Sequence, residues 1–149
     1  MEKYECTPYD QQVVINSQIQ IIDCSLMGTT NWGYIASQIE GALEIHINGS
    51  IFLSETNILL IELAQVIHNW LNNDVLTFYY QSMDYEEESI IKISQCETGK
   101  YFISSIWATC KCEIDLVNWT QECKDFLSDL DCQLIKHGLR LNNFLPLTS

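Results

Sequence analysis

Residues 43–54 read LEIHINGSIFLS. At their centre stands Asn48-Gly49, the dipeptide that a two-residue type I′ turn prefers because both central positions need a positive φ. Such a loop sets Ile45 against Phe52 and Ile47 against Ser50, with Leu43, Ile45, Ile47 and Phe52 on one buried face. His46, Ile51 and Leu53 then fall on the other face, which is half apolar and so partly covered. The hairpin is the clearest local signal in the chain, and the remaining elements are placed around it.

Downstream, TNILLIELAQVIHNWLNN carries Leu59, Leu60, Leu63, Ile67, Trp70 and Leu71 at helical spacing. Thr56 suits the N-cap and Asn72-Asn73 the stop, so a helix is expected over Thr56–Asn72. Upstream, QQVVINSQIQIID and WGYIASQIE read as strands joined through SLMGTTN, a run of loop residues. After the helix come three β-branched and aromatic stretches, Val75–Gln81, Ser89–Ser94 and Tyr101–Ala108. Their short connections favour an antiparallel meander, and CKCEI either extends the third strand or starts a fourth. The last long element, Asp115–His137, is an amphipathic helix. Its stripe is Trp119, Cys123, Phe126, Leu127, Leu130 and Leu134, with Asp115 at the N-cap and Gly138 at C′. The tail LRLNNFLPLTS is apolar enough to dock. The expectation is one acidic α+β domain over residues 1–149: an antiparallel sheet of six or seven strands packed with two helices.

Charge is the strongest global feature. Seven Lys and Arg against twenty Asp and Glu give −13, and Arg140 is the single arginine. A phosphate backbone would be repelled by such a surface, so nucleic acid is not an expected partner. A basic protein would instead be drawn to it. No apolar run approaches the ~20 residues of a membrane span. The polar start MEKYECTPYD lacks the pattern of a signal peptide. Seven scattered cysteines, an odd number, read as reduced thiols rather than a disulfide framework. A cytoplasmic location without a membrane partner is therefore expected.

Catalytic patterns are absent from the sequence: no nucleophile elbow, Walker loop, GxGxxG or HExxH occurs. His46 lies beside Glu44 in the hairpin, and His68 and His137 near helix C-termini, where the macrodipole alone favours histidine. Cys110-x-Cys112, with Cys96 nearby in the meander and Cys123 on the last helix, has a shorter gap than zinc pairs use and reads as core thiols. No metal, cofactor or catalytic residue is expected, and the chain is read as a non-enzyme.

What remains is recognition. The run QSMDYEEESI places Asp84, Glu86, Glu87 and Glu88 around Tyr85, at the tip between two strands. Crowded carboxylates add nothing to folding, so the run is either a solvated turn blunting a sheet edge or a surface for a cation. A second acidic row, Glu122, Asp125 and Asp129, stacks on one side of the last helix. Together these eight residues are the candidate partner-binding set.

Small, acidic α+β chains of this kind, without catalytic residues, resemble the immunity proteins of bacterial polymorphic and contact-dependent growth-inhibition toxins. The stretch from LEIHINGSIFL through LLIELAQVIHNWL and FYYQSMDYEEESIIKI to ISSIW, about residues 35–108, also resembles an uncharacterised family of short bacterial proteins. There, hairpin, helix and acidic meander follow in the same order. The resemblance implies a protein that binds and neutralises a cognate basic toxin domain, typically a cationic nuclease, by offering acid where the substrate phosphates would lie. Which acidic face binds, and whether the toxin's active site or an exosite is covered, stay open. The competing expectation is a small cytosolic adaptor or structural domain, homo-oligomeric or not, whose acidity serves only solubility.

Overall fold

The computed structural model describes residues 12–21, 32–73, 77–81, 89–108 and 111–145. The element order is β1 (Val13–Ile21), α1 (Trp32–Ser37), β2 (Ile39–Ile47), β3 (Ser50–Leu59), α2 (Leu60–Leu71), β4 (Phe78–Tyr80), β5 (Ile91–Gln95), β6 (Tyr101–Ser104), β7 (Cys112–Ile114) and α3 (Leu116–Ile135), closed by a 3₁₀ turn at Leu141–Asn143. The fold is α+β, and all strand pairings are antiparallel. The seven strands divide into two sheets, β1-β2-β3 and the expected meander β4-β5-β6-β7.

The hairpin turn forms as its dipeptide dictates, with Asn48 at φ 57° and Gly49 at φ 84°. Asn48 also ties the turn to the start of β1: its N–H donates to the Gln12 carbonyl (2.9 Å) and its Oδ1 accepts from the Gln12 N–H (3.0 Å). Ile47 opposes Ser50 as expected, but Ile45 opposes Leu53 rather than Phe52. A bulge at Phe52 moves the alternation by one residue, so Leu53 (3% exposed) joins Leu43, Ile45 and Ile47 in the core while Phe52 is only half-buried. A second bulge opposite Ala42 lets β3 run to Leu59. Residues 56–59 are therefore strand, and α2 begins at Leu60 rather than Thr56, capped by the extended backbone of Leu59 with no side-chain cap bond.

The stretch WGYIASQIE also departs from expectation. Trp32–Ser37 is helical and only Ile39 onward is strand. Ile35 and Ile39 are both fully buried while Ser37 between them is exposed, a pattern that a continuous strand, with positions 35, 37 and 39 on one face, does not give.

One buried cluster joins the inner faces of both sheets, α2 and α3. Leu60, Ile61, Leu63, Ala64 and Ile67 of α2 are buried, and the helix packs on both β2 and β4. Phe78 of β4 receives Trp70 of α2 at 5.5 Å and Trp119 of α3 at 5.4 Å, both edge-to-face, contacts worth about 0.5–1.5 kcal/mol each beyond area burial. The Tyr80 hydroxyl donates to Glu62 Oε1 (3.1 Å), joining β4 to α2. The α3 stripe is as its periodicity predicts: Trp119, Cys123, Phe126, Leu130 and Leu134 are buried.

Helix α3 starts after Asp115, whose carbonyl accepts the Trp119 N–H (3.0 Å), and ends in a Schellman motif. The Leu139 N–H donates to Leu134 O (3.0 Å) and the Gly138 N–H to Ile135 O (3.0 Å), with Gly138 at φ 77°. Leu139, Leu141 and Phe144 then bury against the core, so the described part of the tail docks. Among the described residues no helix is long and apolar enough to cross a membrane.

Gly41 is where three elements press closest. A Cβ there would stand 2.2 Å from Gln18 O on β1 and 2.5 Å from Leu60 Cδ1 on α2. Because one of those neighbours is backbone, Gly41→Ala must push β1 and β2 apart. We expect a loss of about 1–3 kcal/mol, typical of core overpacking, read as a lower denaturant midpoint at unchanged m-value.

Candidate functional site

The first sheet buries the odd-numbered side of β2 and leaves its other side to solvent. Residues Glu40, Ala42, Glu44 and His46 of β2 lie between Val14, Asn16, Gln18 and Gln20 of β1 and, on β3, Ile51 and Ser54. Val14, His46 and Ile51 form one row across the three strands, with Val14 44% and Ile51 61% exposed. The next row is Asn16, Glu44 and Ser54. His46 Nε2 lies 3.0 Å from Glu44 Oε1, which places the pair side by side on an open sheet face. A hollow of about 300 Å³ opens beside Ile51, lined by Ile47, Phe52, Trp107 and Cys112 among others.

The outer edge of β1 faces no strand among the described residues; it faces α3. Asn118 Oδ1 accepts the Val13 N–H, Glu122 Oε1 the Ile15 N–H (2.9 Å) and Gln133 Oε1 the Ile19 N–H (2.8 Å). Gln133 Nε2 donates in turn to the Ser17 carbonyl (3.0 Å). The match has a geometric cause. Two residues of strand advance about 6.8 Å, and four residues of helix about 6 Å, so side chains spaced i, i+4 meet strand groups spaced i, i+2 when helix and strand run parallel. Each bond contributes about 0.5–1.5 kcal/mol net, while an edge N–H buried under the helix without it would cost about 1–3 kcal/mol.

This geometry divides the predicted acidic row of α3. Glu122 is half-buried and bonded to β1. Asp125 and Asp129 are exposed, Asp125 accepting from Gln121 Nε2 (3.0 Å) and Asp129 from Gln133 Nε2 (2.7 Å). At 100° per residue Asp125 lies beyond Glu122, away from the buried stripe and toward the solvent side of the first sheet. Asp84, Tyr85, Glu86, Glu87 and Glu88 lie outside the described residues. Sequence reasoning did not single out Glu40, Glu44, Val14 or Ile51 as surface candidates. The polar alternation of the even positions in β1 and β2 was the available signal.

Charge is sorted between the sheets. Strands β1, β2 and β3 contain Glu40, Glu44 and Glu55 and no lysine or arginine. Lys92 is exposed on β5, and Lys100 and Lys111 flank β6 and β7. Lys100 reaches Glu113 at 4.0 Å, and Lys111 Nζ stands 5.8 Å from the Phe102 ring centroid.

The cysteines also divide. Cys123 is in the core, where burial foremost, and then the Glu122 charge, push its thiol pKa up. Cys96 and Cys132 are free thiols and exposed rather than in the core. The Thr98 hydroxyl beside Cys96, 2.9 Å from Sγ, lowers that thiol's pKa. Cys110 lies outside the described residues. Among the described residues no cluster of three or more His, Cys, Asp and Glu could hold a metal ion.

Among the described residues, seven antiparallel strands in two sheets, with one long helix between them and another sealing an edge, define an α+β protein with an open sheet face that carries no lysine or arginine. The chain belongs to the family described as Domain of unknown function (DUF7878), whose model matches residues 15–136, from β1 to just past the end of α3. No curated protein and no solved structure matches it.

A charged clamp holds the last segment to α3. Asp131 accepts from Arg140 Nε and Nη2, both at 3.2 Å, and from the Leu141 N–H at 2.8 Å. The Arg140 hydrogen bond, more than the opposing desolvation, holds the Asp131 carboxyl below its ordinary value of 3.8. A depressed carboxylate contributes stability that is present above the unfolded-state pKa and lost as pH falls through the folded one. Thermal melts of wild type and Asp131→Asn should therefore differ at neutral pH, with the variant melting lower, and converge well below pH 3.8.

Proposed function

We propose that this protein is a non-enzymatic immunity protein that binds and neutralises a cognate toxin in the cytoplasm, the toxin being a cationic nuclease domain. The observation that carries the reading is the charge segregation: a three-stranded sheet with Glu40, Glu44 and Glu55 and no lysine or arginine, bordered by exposed Asp125 and Asp129, on a chain of net charge −13. A nuclease cleft built to hold phosphates would accept such a surface in their place. Long-range attraction speeds the encounter and disfavours wrong partners. Exposed Val14 and Ile51, beside the hollow at Trp107, supply the apolar contacts that slow dissociation. The acidic run Asp84–Glu88 is the second candidate contact.

The reading expects a gene for a basic nuclease domain immediately upstream, and the test is titration against that domain, with rates measured across ionic strength. Glu44→Lys combined with Asp125→Lys should lower the association rate by roughly tenfold or more at low salt and flatten its salt dependence. Lys92→Glu, on the other sheet, should leave the rate within about twofold or raise it. Equal rates for wild type and the reversed variant would remove this face from the interface.

A further inference from the structure

β1 is the longest uncharged strand among the described residues: VVINSQIQI contains no ionisable side chain. Uncharged runs rich in β-branched and amide residues, without proline, pair readily with copies of themselves. An open edge on such a run is a ready template. Here α3 lies along that edge, and the side chains of Asn118, Glu122 and Gln133 supply its hydrogen bonds.

We infer that this row on α3 is a seal over a self-complementary pairing edge, and that the partner the edge fits is a second copy of this chain, joined β1 to β1. The sealed groups belong to Val13, Ile15, Ser17 and Ile19, the odd positions, whose backbone points away from β2. Ser17 is the midpoint of Val13–Ile21. An antiparallel two-fold centred on it sets Ile15 against Ile19 and Val13 against Ile21, so every outward N–H and C=O meets a backbone partner on the other copy. The even positions pair Asn16 with Gln18, amide to amide and without charge repulsion.

At that same centre the row supplies one bond, from Gln133 Nε2 to the Ser17 carbonyl. Steps of four residues drift around a helix with 3.6 residues per turn. The row Asn118–Glu122 thus continues to Phe126, which is buried and has nothing to bond with, and polar contact resumes only at Gln133. The Ser17 hydroxyl, at this gap, is buried with no partner among the described residues.

Two copies of net charge −13 repel each other, so self-pairing should strengthen as salt screens them. Toxin binding should weaken under the same change. The inference does not rest on the toxin reading, and the opposite salt dependences keep their failures apart.

Size-exclusion chromatography with light scattering tests it. Wild type and Glu122→Gln, which keeps an acceptor for Ile15, should run as monomers. Glu122→Leu/Gln133→Leu should show a dimer fraction at least tenfold higher, rising with concentration and with salt. Adding Ser17→Cys to that double variant should yield, on oxidation, an interchain disulfide between the two substituted positions, identified by peptide mapping. A folded double variant that stays monomeric, or one that associates without that disulfide, overturns the inference. If the double variant does not fold, Gln133→Leu alone carries the same expectation and the same overturning result.

Discussion

The backbone of β1 has two sides, and among the described residues only one of them meets a strand. Its even-numbered groups face β2, and its odd-numbered groups must find partners elsewhere or face water. Everything about the placement of α3 answers that requirement. Asn118, Glu122 and Gln133 act as a strand made of side chains, which is feasible only because helix and strand run parallel and their repeats nearly coincide. That alignment puts the apolar stripe of α3 over the core, brings Trp119 to Phe78, and thereby ties the first sheet to the second. The bidentate Asp131–Arg140 pair and the Schellman turn at Gly138 then hold the chain after α3 against the same core.

With α3 at the edge and α2 on the inner face, the remaining side of the first sheet has no covering element among the described residues. Its composition fits that position: amides, two glutamates, a histidine and two exposed aliphatics, with no lysine to neutralise the acid. Lys92, Lys100 and Lys111 lie around the second sheet, Lys100 beside Glu113 and Lys111 over Phe102, while Lys124, Lys136 and Arg140 lie on or just after α3. Net charge alone predicts attraction toward a basic partner but gives it no direction. The sorting of charge between two sheets gives the attraction a face.

Much of this architecture was legible beforehand, for identifiable reasons. Asn48-Gly49 requires positive φ at adjacent positions, and few local structures other than a I′ hairpin turn meet that demand. The α3 stripe repeats over twenty residues, long enough for a period near 3.6 to be unmistakable. The meander followed from short connections. The bulge at Phe52 was not legible, because an alternation of Ile51, Phe52 and Leu53 is apolar in every register, and only packing decides which of them turns inward. The same holds for Thr56, where an acceptable N-cap competes with a strand that Gly41 and Leu43 on β2 extend by pairing. Segment 32–40 misled because a short helix followed directly by a strand averages to a loose alternation.

The acidic row of α3 shows most sharply where sequence spacing stops being informative. Glu122, Asp125 and Asp129 stand three and four residues apart, so they share one side of the helix whatever surrounds it. A helix pattern cannot reveal that a strand edge runs alongside. Once β1 lies there, the row separates into Glu122, whose carboxylate satisfies a backbone N–H, and Asp125 and Asp129, which remain exposed. A carboxylate that accepts a part-buried N–H is not drawn off by an incoming lysine without leaving that N–H unpaired, at a cost of about 1–3 kcal/mol against the roughly 0–1 kcal/mol that an exposed ion pair returns. Glu122 therefore belongs to the fold before it belongs to any interface, and a cationic partner docking on this side would find its contacts one step further round the helix, at Asp125.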